Sequence, residues 1–339
     1  MNKKSEKKAY TFDHQKADIY LDANESENYL FKDGFKLEAG SINRYPDHRA
    51  NALKDALASY HDMASASLML GSGSSELLEL IIKTFVNPGE VVLGIEPSFT
   101  MYEVYSDMHH ATYRTLEVDD KLQVDEKRFI ETMKRLNPVL TILCTPNNPT
   151  GQTLSDDFIF RVINETKGLV LLDEAYVDFE DAQASWLAKA PGLQNVFVTR
   201  TFSKAFGLAG ARLGYLSTNP VLMAKLWLVK TPYSISRLSQ AIGTRALQEK
   251  QKVLAHISGV KKRRETLAEA LRGMNFTVYP SKANFLFVRS PIPGLGDALI
   301  EKGIKIRNFA SYRPDFYRIS VGNAYEIKRL LEALKEVMS

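Results

Sequence analysis

The chain has 339 residues, and 44 Lys+Arg against 40 Asp+Glu leave a formal charge of +4, too small an excess to argue for a nucleic-acid partner. With 45% hydrophobic and 25% charged residues, the composition excludes a mostly disordered, collagen-like or disulfide-built chain. The single cysteine, Cys144, permits neither an intrachain disulfide nor an all-cysteine metal site, and it fits a reducing compartment.

The N-terminal string MNKKSEKKAY carries Lys3, Lys4, Lys7 and Lys8 but no apolar core follows, so it does not read as a secretory signal. The basic residues read as a solvated arm rather than an anchor for polyanions. No run of 18 apolar residues occurs, so no membrane partner is expected and the cytoplasm is the default location. The first thirty-odd residues are mixed and polar, and an irregular segment is expected there. Arg49–Tyr60 places Leu53, Ala56, Leu57 and Tyr60 at helical spacing. Short apolar runs then alternate with amphipathic ones. Strands are expected at Ser67–Leu70, Glu90–Ile95, Ala111–Leu116, Val139–Cys144, Leu169–Leu172, Asn195–Thr199 and Leu213–Leu216, with helices such as Ser75–Phe85 and Asp156–Thr166 between them. This alternation predicts an α/β protein whose large domain holds a mostly parallel sheet flanked by helices. Beyond Asn219 the character changes. Residues 236–272 read as one long helix or two in series, followed by strands at Thr277–Tyr279 and Asn284–Val288, a helix, strands at Ile304–Arg307 and Tyr317–Val321, and a terminal helix from Ala324. These predict a smaller α+β domain. The expected division is an N-terminal arm over 1–40 packing with the small domain, a large domain over 41–235 and a small one over 236–339.

Four loops at strand ends carry chemistry. In Thr199–Arg212, Lys204 follows a strand among hydroxyls and glycines. A lysine amine in an apolar pocket loses its proton more readily and attacks carbonyl carbon. Thr201, Ser203 and Arg212 have the groups to hold a phosphate. For an isolated lysine, a surface side chain in a glycine-rich loop is the competing reading. Asp173, in Asp173-Glu174-Ala175-Tyr176, ends a buried apolar strand, where ligands of open α/β sheets bind. It suits a cationic ring nitrogen, or else caps the next helix. No nearby His or Cys completes a metal set with Glu174. The string Thr145-Pro146-Asn147-Asn148-Pro149-Thr150-Gly151 makes a rigid turn that offers an amide donor. Gly71-Ser72-Gly73-Ser74-Ser75-Glu76 stands between a strand and a helix, where free N–H groups receive an anion and Glu76 can complete a cap. No Gly-Lys-Ser/Thr follows, which argues against a nucleoside triphosphate. An amine, a ring-nitrogen partner, an amide donor and a phosphate cradle together suit pyridoxal 5'-phosphate.

The strings Asn-Asn-Pro-Thr-Gly, Asp-Glu-Ala-Tyr and Thr-Phe-Ser-Lys-Ala-Phe-Gly-Leu-Ala-Gly-Ala-Arg resemble the fold-type I pyridoxal-phosphate aminotransferases, most closely the histidinol-phosphate aminotransferase family. The likeness extends through Leu21-Asp22-Ala23-Asn24-Glu25, Arg44-Tyr45-Pro46-Asp47, Glu96–Tyr102, Lys282-Ala283-Asn284-Phe285 and Arg318-Ile319-Ser320-Val321-Gly322, in the same order along the chain. It implies that Lys204 is the Schiff-base lysine and that Asp173 pairs with the pyridinium nitrogen. By the same resemblance, Asn148 and Tyr176 bond the ring's phenolic oxygen and Phe99 stacks on its face. Ser74, Ser75, Thr201, Ser203 and Arg212 would hold the phosphate, and Tyr45 would reach the site of a neighbouring subunit in a homodimer with shared sites. Arg318, helped by Arg307, would receive the acidic end of the substrate, and Asn24 would lie over it. The implied reaction is ping-pong transfer from L-histidinol phosphate to 2-oxoglutarate, giving imidazole-acetol phosphate and L-glutamate. An aromatic or other amino-acid aminotransferase and a threonine-phosphate decarboxylase are the alternatives. Two departures stand out. The family string Asn-Glu-Asn-Pro is here Asn24-Glu25-Ser26-Glu27, and Ser75 stands where an acid is common.

Overall fold

The structure, a computed structural model, describes residues 15–32, 34, 42–180 and 185–338. Lys3, Lys4, Lys7 and Lys8, and most of the 1–40 arm, lie outside the described residues.

In chain order the elements are β1 (Ile19–Leu21), α1 (Asn51–His61), β2 (Leu68–Ser72), α2 (Gly73–Phe85), β3 (Val91–Glu96), α3 (Met101–Met108), β4 (Thr112–Glu117) and α4 (Glu126–Leu136). They continue through β5 (Leu140–Cys144), α5 (Asp156–Glu165), β6 (Leu169–Asp173), β7 (Val196–Thr201), β8 (Leu213–Ser217), α6 (Pro220–Val229), α7 (Arg237–Gln248) and α8 (Lys250–Gly273). The chain closes with β9 (Thr277–Val278), β10 (Phe285–Arg289), α9 (Leu295–Glu301), β11 (Ile304–Asn308), β12 (Phe316–Ser320) and α10 (Ala324–Met338).

The large sheet has seven strands in the order β2-β8-β7-β6-β5-β3-β4. The pairs β3–β4, β3–β5, β5–β6 and β6–β7 are parallel, and only β8 runs against its neighbours. Its inner strands β5 and β6 are apolar on both faces because both faces are covered, whereas the edge strand β4 is largely exposed. Ile142, Leu171 and Phe197 pack with α2, α3 and α6, whereas Leu143, Leu172 and Val198 pack into the core on the other side. Helix starts are marked by side-chain caps. Asp125, Ser155, Asn219 and Ser236 accept from the backbone N–H groups of Arg128, Phe158, Leu222 and Ser239, with Pro220 opening α6. The run over 236–272 is two helices in series.

The smaller sheet has the order β1-β11-β12-β10-β9. One expectation is corrected here. Ile19–Leu21, within the segment expected to be irregular, is a strand paired in parallel with Ile304–Ile306. Three residues carry little periodic signal; what orders them is an edge far along the chain. Among the described residues no helix is long and apolar enough to cross a membrane.

The topology sets the site. Because β2 and β7 both run against β8, the carboxyl ends of β2, β3, β5, β6 and β7 and the start of β8 share one edge. Strand order reverses between β3 and β5, and open α/β sheets bind ligands outside such a reversal.

Candidate active site

A cavity of about 240 Å³ opens at this edge, and Ser74, Ser75, Phe99, Asn148, Asp173, Tyr176, Thr201, Ser203, Lys204 and Arg212 all line it. Ala23, Glu25, Tyr102, Cys144, Ala175 and Ala209 complete the lining.

Lys204 follows β7, and its Nζ donates to the Ala23 carbonyl at 3.0 Å and stands 5.7 Å from the centre of the Tyr176 ring. Burial, with help from the guanidinium groups of Arg318 and Arg212, pulls its pKa from 10.5 down to about 7. The amine is therefore largely deprotonated just above neutrality, the state that attacks a carbonyl.

Asp173 ends β6 and is buried. One carboxylate oxygen accepts from the Tyr102 hydroxyl at 2.7 Å, and the other from Ala175 N at 3.2 Å and Thr199 Oγ1 at 3.3 Å. Burial pushes its pKa up, against these donors and the charge of Lys204. A buried carboxylate with a raised pKa gains most from a cationic partner brought into the cavity.

The anion cradle forms where β2 turns into α2. Gly73 begins α2 with φ 75°, and a Cβ there would sit 2.6 Å from Arg212 Nη2. Only glycine lets that guanidinium lie against the backbone at the positive end of the helix. Arg212 reaches this point because it precedes β8, and its carbonyl accepts from Gly73 N at 3.1 Å. Thr201 Oγ1 donates to Ser203 Oγ at 2.9 Å and receives Ser203 N at 3.0 Å, so the two hydroxyls stand together. Glu76 does serve as a cap: its carboxylate accepts from Ser72 N and pairs with Lys230 Nζ at 2.7 Å. This set fits pyridoxal phosphate: a loosely protonated amine, an acid for a ring nitrogen, and a guanidinium with hydroxyls at a helix N-terminus.

On the other side of the cavity, Asn148 Oδ1 accepts from Arg318 Nη1 at 2.5 Å, and Arg318 Nη2 also donates to the Asp22 carbonyl. Asn24 is buried with φ 53°, a left-handed backbone that asparagine tolerates. Its Nδ2 donates to the Tyr176 hydroxyl at 3.0 Å. Burial raises the pKa of Tyr176 to about 12, so it stays a neutral phenol. Phe99 follows β3 and meets Tyr102 edge-on at 5.5 Å.

Four of the residues expected at the site do not line the cavity: Asn24 and Arg318 meet it only through their bonds to Tyr176 and Asn148, and Tyr45 and Arg307 lie outside it. Tyr45 is 78% exposed and stacks on Tyr233 at 4.7 Å. Arg307 lies directly opposite Arg318 in the β11–β12 register, on the same face, and its side chain makes no hydrogen bond or ion pair with the described residues. Tyr102 has no role in the sequence motifs. Its signal is its place three residues after Phe99 at a helix start, which turns both rings to one side. Among the described residues no cluster of His, Cys, Asp and Glu is placed to hold a metal ion.

The family model for aminotransferases of class I and II matches residues 9–334. A histidinol-phosphate aminotransferase of Caldanaerobacter subterraneus subsp. tengcongensis is 35% identical over 94% of this chain and 93% of its own length. Among solved structures, a histidinol-phosphate aminotransferase of Sinorhizobium meliloti in complex with pyridoxal-5'-phosphate superposes with a TM-score of 0.86 at 24% identity, covering 95% of this chain and 91% of that one. An L-threonine-O-3-phosphate decarboxylase of Porphyromonas gingivalis superposes with a TM-score of 0.80 at 21% identity, covering 94% and 99%. At those identities the two structures speak for the fold.

Proposed function

The chain belongs to the class I and II aminotransferases, in the histidinol-phosphate aminotransferase family, and on that premise we propose that it moves the amino group of L-histidinol phosphate to 2-oxoglutarate, giving imidazole-acetol phosphate and L-glutamate. It is a pyridoxal-phosphate enzyme. The cofactor supplies an aldehyde that carries the amino group and a ring that draws off the electron pair released at the donor's carbon.

The chain's own residues do the rest. Lys204 Nζ, poised near neutrality, takes the proton from the donor's α-carbon and gives one back later in the same half-reaction. Asp173 would pair with the ring nitrogen, and its burial would strengthen the attraction. Asn148 and Tyr176 would hydrogen-bond the ring's oxygen, and Phe99 would pack against the ring. Ser74, Ser75, Thr201, Ser203 and Arg212 would hold the cofactor's phosphate. Asn24 closes the site from above. Two substrates use one site in turn, so the kinetics are ping-pong.

The observation that carries the substrate reading is the pair Arg307 and Arg318, opposite each other on β11 and β12, with the Arg307 side chain making no ion pair among the described residues. Two forked guanidinium groups on one face suit a phosphate in one half-reaction and a carboxylate in the other. Tyr45, exposed and outside the lining of its own cavity, supports a homodimer in which it reaches the partner's site. The division into a cofactor-binding unit over 41–235 and a smaller unit over 236–339 with the N-terminal arm is part of the same reading. So is a cytoplasmic location, where the lone thiol stays reduced.

The test is a profile of amino donors against 2-oxoglutarate with the purified holoenzyme. L-histidinol phosphate should exceed phenylalanine, tyrosine and aspartate by at least tenfold in kcat/KM. A preference for an aromatic amino acid, or release of carbon dioxide from phosphothreonine, overturns the substrate assignment.

A further inference from the structure

The departure at Ser26-Glu27 has a structural counterpart. Residues 22–29 form a strap across the cavity that grips Lys204 at both ends. The Ala23 carbonyl receives its Nζ at 3.0 Å, and Ser26 Oγ donates to its main-chain carbonyl at 2.7 Å. The Tyr29 hydroxyl donates to the next carbonyl, that of Ala205, at 2.7 Å. Gly207, at φ 65°, leaves room for the strap, because a Cβ there would meet the Glu27 carbonyl at 3.2 Å.

The strap is fastened from outside by Glu27. Its Oε1 accepts from Arg263 Nη2 at 2.9 Å, while Arg263 Nε donates to the Gly322 carbonyl at 3.0 Å. Arg263 thus bridges the strap and the loop that follows β12, the strand that carries Arg318. Beside the pair, Tyr29 stacks on His256 at 3.9 Å with an interplanar angle of 6°. His256 Nδ1 stands 3.6 Å from the same Glu27 oxygen, and burial beside Arg263 pulls the imidazole down to about 4. His256 is therefore neutral near pH 7, and Arg263 is the cation that holds Glu27.

We propose that Glu27, pinned by Arg263, is a positioning residue that holds the 22–29 strap closed over the bound donor. This rests on the reading of Lys204 as the reactive amine. Glu27 touches neither substrate nor cofactor, and it acts through Ser26 and Tyr29.

The experiment compares Glu27→Gln, Arg263→Met and the double variant as holoenzymes, with Glu27→Asp as the conservative control. Amide hydrogen exchange of residues 22–31 should quicken about tenfold in Glu27→Gln, with exchange elsewhere and the melting temperature unchanged. KM for the amino donor should rise about fivefold with kcat within twofold of the parent, since a strap that closes on bound substrate contributes to binding. The double variant should be no worse than either single one, and Glu27→Asp should recover most of the loss. Should Glu27→Gln fail to fold, Arg263→Met carries the same readings. Unchanged strap exchange, unchanged KM, or additive effects in the double variant overturn the proposal. The exchange measurement needs no substrate, so its outcome is independent of the donor profile.

Discussion

Replacing Lys204 by Met should stabilise the cofactor-free protein, and by an amount that depends on pH. The amine titrates at 10.5 when exposed and at about 7 in the fold. Below pH 7 both folded and unfolded chains hold the proton, and the folded state bears the whole cost of burying an ammonium. At 1.36 kcal/mol per pH unit, the gap between those two values is worth about 5 kcal/mol. Between pH 7 and 10.5 the folded chain releases the proton while the unfolded chain keeps it, so the penalty shrinks and is gone above 10.5. Water entering the cofactor-free cavity screens roughly half of it, and losing the bond to Ala23 costs the variant about 1 kcal/mol. The net gain is about 2 kcal/mol at pH 6, falling to zero or below by pH 10. Urea denaturation of both apoproteins at pH 6, 7.5, 9 and 10 reads it directly, provided the slopes agree. A Met variant that is less stable at pH 6, or whose advantage does not change with pH, would falsify the claim that this amine is held near neutrality.

Two further outcomes follow from contacts at the same edge. Tyr102→Phe removes a buried hydroxyl that donates to Asp173 at 2.7 Å. A hydrogen bond to a charged group contributes about 1.5–3 kcal/mol, so kcat/KM should drop by roughly 10- to 100-fold; steady-state rates within twofold of the parent would show that Asp173 does not depend on it. Gly73→Ala forces a Cβ to within 2.6 Å of Arg212 Nη2 at a positive φ. The guanidinium must move off the helix end, and pyridoxal-phosphate affinity, followed by absorbance titration of the apoprotein, should weaken at least tenfold; an unaltered affinity would remove Arg212 from the cradle.

The large sheet is legible in the sequence because its inner strands are buried on both faces and read as nearly continuous apolar runs bounded by turn residues, as in Leu140–Cys144 and Leu169–Asp173. The loops after them are legible because their chemistry is unusual as a set, and the topology brings Lys204, Asp173, Asn148 and Arg212 into one cavity. What escapes a sequence reading depends on distant partners. The strand Ile19–Leu21 exists because β11 offers it an edge. Glu27 and Arg263 are 236 residues apart, and nothing local in either names the other. The break between α7 and α8 falls at Glu249, with no Gly or Pro to mark it. Tyr102 looks like an ordinary core aromatic until its hydroxyl is seen on Asp173.

The most direct test of the central claim is chemical trapping. Purified holoenzyme is reduced with borohydride, digested, and its peptides are weighed by mass spectrometry. The pyridoxyl phosphate mass is predicted on the peptide containing Lys204, with every other lysine unmodified. The same mass on a different lysine, or none on Lys204 from protein that still turns over, would contradict it.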